Sequence, residues 1–154
     1  MQRRGGPYGG GEPSVAGRDP AQVRKKPVAA RHPGFASRLG PRVASALAIC
    51  NAEYCCSALS PRLISARVGL TPAHLCRAFR REVGVSLPDY LRRLRIQRAE
   101  ELLRDPAREV KEVAAEAGFG CTKSFERAFG AAHSLTPSAY RRRLASCPPV
   151  AGLR

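Results

Sequence analysis

The sequence lacks any apolar run of the roughly 18–20 residues that a membrane-spanning helix needs. Its first thirty residues hold no apolar stretch of the signal-peptide kind, so export is not expected and reduced thiols in the cytoplasm are. Six cysteines are present, Cys50, Cys55, Cys56, Cys76, Cys121 and Cys147, yet none form a C-x-x-C pair. That removes the usual zinc and redox-dithiol signatures. His74 and His133 have no carboxylate or cysteine at metal-ligand spacing, so neither a metal nor a cofactor is expected. There is no H-E-x-x-H, no glycine-rich phosphate loop and no nucleophile–base pair, and no enzymatic activity is expected. Acidic residues are scarce: Asp and Glu number 12 against 27 Lys and Arg, a net charge of +15 over 154 residues. Such a balance calls for a polyanionic partner, either nucleic acid or an anionic membrane surface.

What is present falls into two regions. Residues 1–40 hold eight glycines, five prolines and eight Lys/Arg against Glu12 and Asp19, with apolar residues scattered and aperiodic. A stretch of that kind cannot bury enough surface to offset its ordering entropy, so a disordered basic arm is expected. Residues 147–154 read as a tail. Between them, over 41–146, glycine and proline retreat to the gaps between apolar-periodic segments, the pattern of an all-α domain. Val43, Leu47, Cys50 and Tyr54 line one face of a first helix. Ser60-Pro61, Thr71-Pro72 and Thr136-Pro137 are start signals, with the hydroxyl at the N-cap and proline pre-set at the first helical position. Ser86-Leu87-Pro88-Asp89 resembles a capping box with Asp in place of Glu. The helix after it carries Leu91, Leu94, Ala99, Leu102 and Leu103 as its apolar stripe. Gly69, Gly84 and Gly118 mark helix ends.

The helical region repeats itself. Val68-Gly69-Leu70 matches Ala117-Gly118-Phe119 at an offset of 49. The next turn is one residue longer, and at an offset of 50 Leu75 matches Phe125, Arg77-Ala78-Phe79 matches Arg127-Ala128-Phe129, and Tyr90 matches Tyr140. A short helix, a glycine turn and a second helix make a helix-turn-helix, here in two copies. In the first copy Leu75, Ala78 and Phe79 point one way, and Ala73, Cys76, Arg77 and Arg80 the other. In the second, Phe125, Ala128 and Phe129 point inward, while Lys123, Glu126 and Arg127 point outward. Each second helix is thus anchored by an apolar side and presents a central arginine, a shape and charge that a major groove accepts. A solvated basic face is the alternative for any single helix.

The residues from Gly69 to Gly84 resemble the first helix-turn-helix of AraC/XylS-type transcription regulators. Tyr90 to Ile96 and Ala99 to Leu103 resemble that family's connecting helix. Val113 to Phe119, then Phe125, Arg127, Phe129 and Thr136-Pro137 through Tyr140-Arg141, resemble its second motif. The resemblance covers about residues 43–144. It implies two homeodomain-like helix-turn-helix subdomains, about 58–84 and 109–133, joined by a connecting helix about 86–103 and followed by a final helix about 137–145. A sequence-specific DNA-binding regulator is implied, reading two successive major-groove half-sites. Matching positions make Ala73, Cys76, Arg77, Thr122, Lys123 and Arg127 the base-contact candidates, and Arg80, Arg81, Arg92, Arg93 and Arg141 the phosphate-contact candidates. The implied partner is double-stranded DNA, with RNA polymerase as a further one. A monomer on DNA is expected, cytoplasmic and nucleoid-associated, without a membrane partner. Lacking room for an effector domain, the chain resembles the small stand-alone members of the family. Cys76 and Cys121 read as small packing or surface residues, since no partner spacing supports a disulfide; a redox switch is the alternative, because oxidation at either would disturb docking.

Several positions depart from the family pattern, and those at 130, 131 and 134 make the second motif less basic and less rigid. Ser65 stands where Ala is usual, Ser134 replaces the glycine seen as Gly84, and Gly130 and Ala131 stand where the first copy has Arg80 and Arg81. The rival functions are a non-specific architectural DNA binder and a truncated regulator remnant.

Overall fold

The computed structural model describes residues 39–146. The arm and the tail therefore lie outside the described residues, Leu39 and Gly40 apart. Among the described residues seven helices follow one another: α1 Pro41–Glu53, α2 Pro61–Arg67, α3 Pro72–Val83, α4 Leu87–Leu102, α5 Val110–Glu116, α6 Thr122–His133 and α7 Pro137–Ser146. No strand occurs among the described residues, and the all-α expectation stands. No described helix is long and apolar enough to cross a membrane.

The helix starts obey the hydroxyl–proline signals. The Ser60, Thr71, Ser86 and Thr136 side chains accept from the backbone N–H three residues on, at 3.2–3.4 Å. Each satisfies one donor that the first helical turn leaves unpaired. Asp89 does not complete a capping box. Its carboxylate accepts from the Ser86 hydroxyl at 2.6 Å rather than reaching the Ser86 backbone N–H. Aspartate is one methylene shorter than the glutamate that the reciprocal bond requires. Glutamate is long enough in α5, where the Glu112 carboxylate accepts from the Glu109 N–H at 2.9 Å.

Two cores form, and α4 belongs to both. Val43, Ala46 and Cys50 of α1, Ile64 of α2, Leu75, Phe79 and Val83 of α3, and Leu87, Tyr90 and Leu91 of α4 make the first. Ile96, Ala99 and Leu102 of α4, Val113 and Ala114 of α5, and Phe125 and Phe129 of α6 make the second, against which Tyr140 of α7 packs. The first half of α4 is thus committed to one unit and the second half to the other. Sixteen residues make it ~24 Å long. The stripe read from sequence omitted Leu87, Tyr90 and Ile96, all buried. A helix that changes partner midway does not keep one apolar face, which defeats a single-stripe reading.

The duplication is visible bond by bond. The Gly69 N–H donates to the Ala66 carbonyl and the Leu70 N–H to the Ser65 carbonyl; Gly118 and Phe119 do the same to Ala115 and Ala114. Those bonds repeat at the offset of 49, and they form a Schellman turn with its glycine in the left-handed region. After the extra residue the offset becomes 50: Gly84 N–H donates to the Arg80 carbonyl, and Ser134 N–H to the Gly130 carbonyl. Ser65 is buried without penalty because its hydroxyl donates to the Arg62 carbonyl at 2.8 Å.

Candidate nucleic-acid interface

Helices α3 and α6 hold the candidate site. In α3, Leu75, Ala78 and Phe79 are buried, whereas Ala73, Arg77 and Arg80 are exposed and Cys76 is half-buried. In α6, Phe125 and Phe129 are fully buried, Lys123 and Arg127 are exposed, and Thr122 and Ala128 are half-buried. Each helix therefore turns its apolar side to its own core and presents the base-contact candidates on the other. Arg77, Arg80, Arg93, Lys123 and Arg127 have no ion pair among the described residues, and their donors remain available to an anion.

Other candidates are engaged. Arg81 pairs with Glu82 at 3.1 Å, although its own side chain is 77% exposed. Glu82 is held in turn, accepting from the Gly40 N–H at 2.8 Å and so anchoring the start of α1 on the end of α3. Arg92 pairs with Asp89 at 2.6 Å. Both arginine side chains are exposed, and pairs of that kind are weak enough to yield to a phosphate. The Ser86 hydroxyl, and after it the charge of Arg92, holds the Asp89 carboxyl below its ordinary range. Arg141 differs from the rest. It is half-buried, and its Nε and Nη2 are shielded from solvent with no hydrogen-bond partner.

Two candidates that sequence treated separately come together. Arg92 of α4 and Arg127 of α6 line one shallow groove of about 320 Å³, with Phe119, Ser124, Ala128 and Ala131. The groove joins α4 to α6 and has an arginine from each in its lining.

The thiols divide by environment. Burial in the first core pushes the Cys50 thiol up to about 11. Cys121 is exposed at the N-cap of α6, 3.2 Å from the Ser124 hydroxyl, which holds its thiol below the ordinary value. Among the described residues there is no group of three metal-ligating side chains.

Three tertiary contacts had no signal in the sequence. The buried His133 ring meets Glu100 of α4 at 3.0 Å and lies against Phe129 and Tyr140. The Tyr90 hydroxyl donates to the Asn51 side-chain oxygen at 2.9 Å, pinning α4 to α1. Arg95 donates to the backbone carbonyls of Tyr54, Cys56 and Leu59 at 2.8, 2.8 and 3.2 Å. Its partners are main-chain atoms 36–41 residues away, which no side-chain pattern announces.

Comparison with known proteins agrees with this architecture. The family model described as "Helix-turn-helix domain" matches residues 64–143, just over half of the chain. The chain is 43% identical over 65 residues to the HTH-type transcriptional activator RhaR of Pectobacterium atrosepticum, covering 42% of this chain and 23% of that protein. It is 36% identical over 78 residues to the HTH-type transcriptional regulator GlxA of Rhizobium meliloti, covering 51% and 24%. The chain thus matches about a quarter of the length of these relatives. Among solved structures, the C-terminal domain of AraT, a response regulator from Geobacillus stearothermophilus, superposes with a TM-score of 0.65 at 28% identity. That match covers 69% of this chain and 88% of the domain.

Proposed function

This chain belongs to the AraC-type helix-turn-helix family, and on that premise we propose that it regulates transcription by binding double-stranded DNA sequence-specifically. The observation that carries this reading is the duplicated presentation of an arginine. Arg77 and Arg127 occupy equivalent positions on two helices whose opposite sides are buried, and both guanidiniums are exposed. A helix of that shape enters a major groove, where arginine pairs bidentately with guanine O6 and N7, worth ~1–3 kcal/mol of discrimination.

In this reading α3 and α6 each take one half-site, with Ala73, Cys76 and Arg77 on the first and Thr122, Lys123 and Arg127 on the second. Arg80, Arg81, Arg92, Arg93 and Arg141 neutralise phosphates, which fixes register and adds salt-dependent affinity. The two units are tandem repeats, so their half-sites need not form a palindrome and one protomer suffices. Successive major grooves on one DNA face lie ~34 Å apart, more than the ~24 Å of α4. In this reading the flanking turns supply part of the remainder, and modest DNA bending closes the rest.

Selection from random duplex DNA at physiological salt tests the proposal. Two sequence blocks about ten base pairs apart are expected, with Arg77→Ala relaxing one block and Arg127→Ala the other. Binding without a selected motif, weakening steeply with salt and indifferent to both substitutions, would replace it with the architectural reading.

A further inference from the structure

Each unit has its own core, and α4 runs through both. A second connection exists away from that helix. Residues 54–60 join α1 to α2, and the carbonyl of Tyr54 in this loop is held from two sides. Arg95, midway along α4 between the two cores, donates its Nε to it at 2.8 Å and spreads its Nη2 over the Cys56 and Leu59 carbonyls. From the other unit, the α5–α6 turn comes down on the same spot. A Cβ on Gly118 would lie 2.4 Å from the Tyr54 carbonyl oxygen and 2.8 Å from the Cys55 carbonyl carbon and oxygen. Real Cβ atoms essentially never approach that closely, and here the obstacles are backbone atoms, which cannot swing aside.

The equivalent glycine of the first unit separates this contact from the needs of the turn. Gly69 has the same left-handed backbone, φ +66 against +84, yet its Cβ would meet nothing within 4 Å. Conformation alone accounts for a glycine at 69. At 118 conformation and a direct backbone-to-backbone contact between the units both require it.

We propose that the 54–60 loop is the joint that fixes the orientation of the second helix-turn-helix unit relative to the first. Gly118 and Arg95 are its positioning residues, and the half-site spacing the protein accepts follows from them. The spacing consequence rests on the two-half-site reading above; the mechanical role does not. A helix shared by two cores sets how far apart the units stand. The loop adds a second point of attachment off the helix axis, which is what resists rotation and bending about α4. Arg95 makes that attachment stiff by gathering three carbonyls of an otherwise irregular segment onto one half-buried cation, and hydrogen bonds from a charged donor are stronger than neutral ones.

The test compares Gly118→Ala with Gly69→Ala in the full chain, because both carry the positive-φ cost and only the first carries the clash. Residual dipolar couplings of the DNA-free protein read the relative orientation of the units. Gly69→Ala should keep the wild-type orientation. Gly118→Ala should reorient the units while the couplings within each remain self-consistent. Arg95→Met, which keeps the apolar stem and frees the three carbonyls, should broaden the orientation without adding bulk, and it serves if Gly118→Ala does not fold. On duplexes carrying the selected half-sites, wild type and Gly69→Ala should lose on the order of tenfold in affinity per base pair of altered spacing, the size of one mismatched contact. Gly118→Ala and Arg95→Met should shift or flatten that optimum and bind an isolated half-site as wild type does. Wild-type orientation in both Gly118→Ala and Arg95→Met would overturn the joint. Absence of paired half-sites in wild type would overturn the spacing consequence and the two-site reading, leaving the couplings to decide the joint.

Discussion

The two recognition helices are equally long, twelve residues each, and are finished by different chemistry. Helix α3 has Thr71 as a bonded N-cap and Gly84 in the left-handed position at its end. Helix α6 begins at Cys121 with no side-chain cap bond, carries Gly130 in its last turns, and ends on Ser134 at φ 57. Among the described residues Ser134 is the one non-glycine at positive φ. The second unit makes up the difference in its core. Phe125, Phe129, His133 and Tyr140 form a run of ring contacts with centroids 4.4–5.5 Å apart, joined by Phe119, where the first unit has the Phe79–Tyr90 pair at 5.7 Å. One backbone geometry is thus built on an apolar core in both copies, with better-finished helix ends in the first and a longer run of ring contacts in the second. Local backbone terms and side-chain burial are interchangeable sources of stability when their sums are similar.

The largest effect should come from attacking that packing. Phe129 is fully buried against three rings, so Phe129→Ala should cost about 3–5 kcal/mol in urea unfolding, and Phe79→Ala should fall at the lower end of that range. The reverse order would mean that the second unit does not lean on its rings.

Next comes the charge difference. Arg80 and Arg81 of the first unit have Gly130 and Ala131 as counterparts in the second. Replacing both arginines with alanine should reduce the slope of log affinity against log salt by about 1.8, and Lys123→Ala, at a base-contact position, by less. Equal reductions would show that the first unit does not dominate the phosphate contacts.

The helix ends give a smaller, reciprocal pair. Ser134→Gly should stabilise by roughly 1 kcal/mol, and Gly84→Ser should destabilise by a similar amount, because only the non-glycine residue strains at positive φ. Gly130→Ala should add about 0.5–1 kcal/mol, since a Cβ there meets nothing within 4 Å. Thermal unfolding checks all three, and a stabilising Gly84→Ser would contradict the account of the turns.

The smallest effect lies at the starts of α4 and α7. Ser86 and Thr136 are equivalent N-caps, but Asp89 of the first unit is matched by Ala139 in the second. The Asp89 carboxyl is held below its ordinary value, so the folded state favours its ionised form. That contribution is present above about pH 4 and is lost as the pH falls below it. Asp89→Asn should flatten the acid side of the stability profile while leaving the region above pH 6 nearly parallel to wild type. An unchanged acid limb would place the titrating group elsewhere.

The sequence by itself determined the helices, the duplication and the outward faces of α3 and α6. These are local matters: Thr71-Pro72 needs only its own next turn, and Leu75, Ala78 and Phe79 share a face because a helix repeats every 3.6 residues. The limits of that reasoning show at Asp89, where composition suggested a reciprocal cap and one missing methylene redirected the carboxylate to the Ser86 hydroxyl. Tertiary structure alone decided how the two copies stand to one another. Leu87, Tyr90 and Ile96 are buried because α4 changes partner midway. Glu100 meets His133 across 33 residues, and Arg95 finds three main-chain carbonyls. The turn at Gly118 rests on the backbone of another unit, whereas a Cβ at Gly69 would meet open space. Carbonyls carry no residue identity, and contacts between distant segments obey no period. They exist only once the chain has folded.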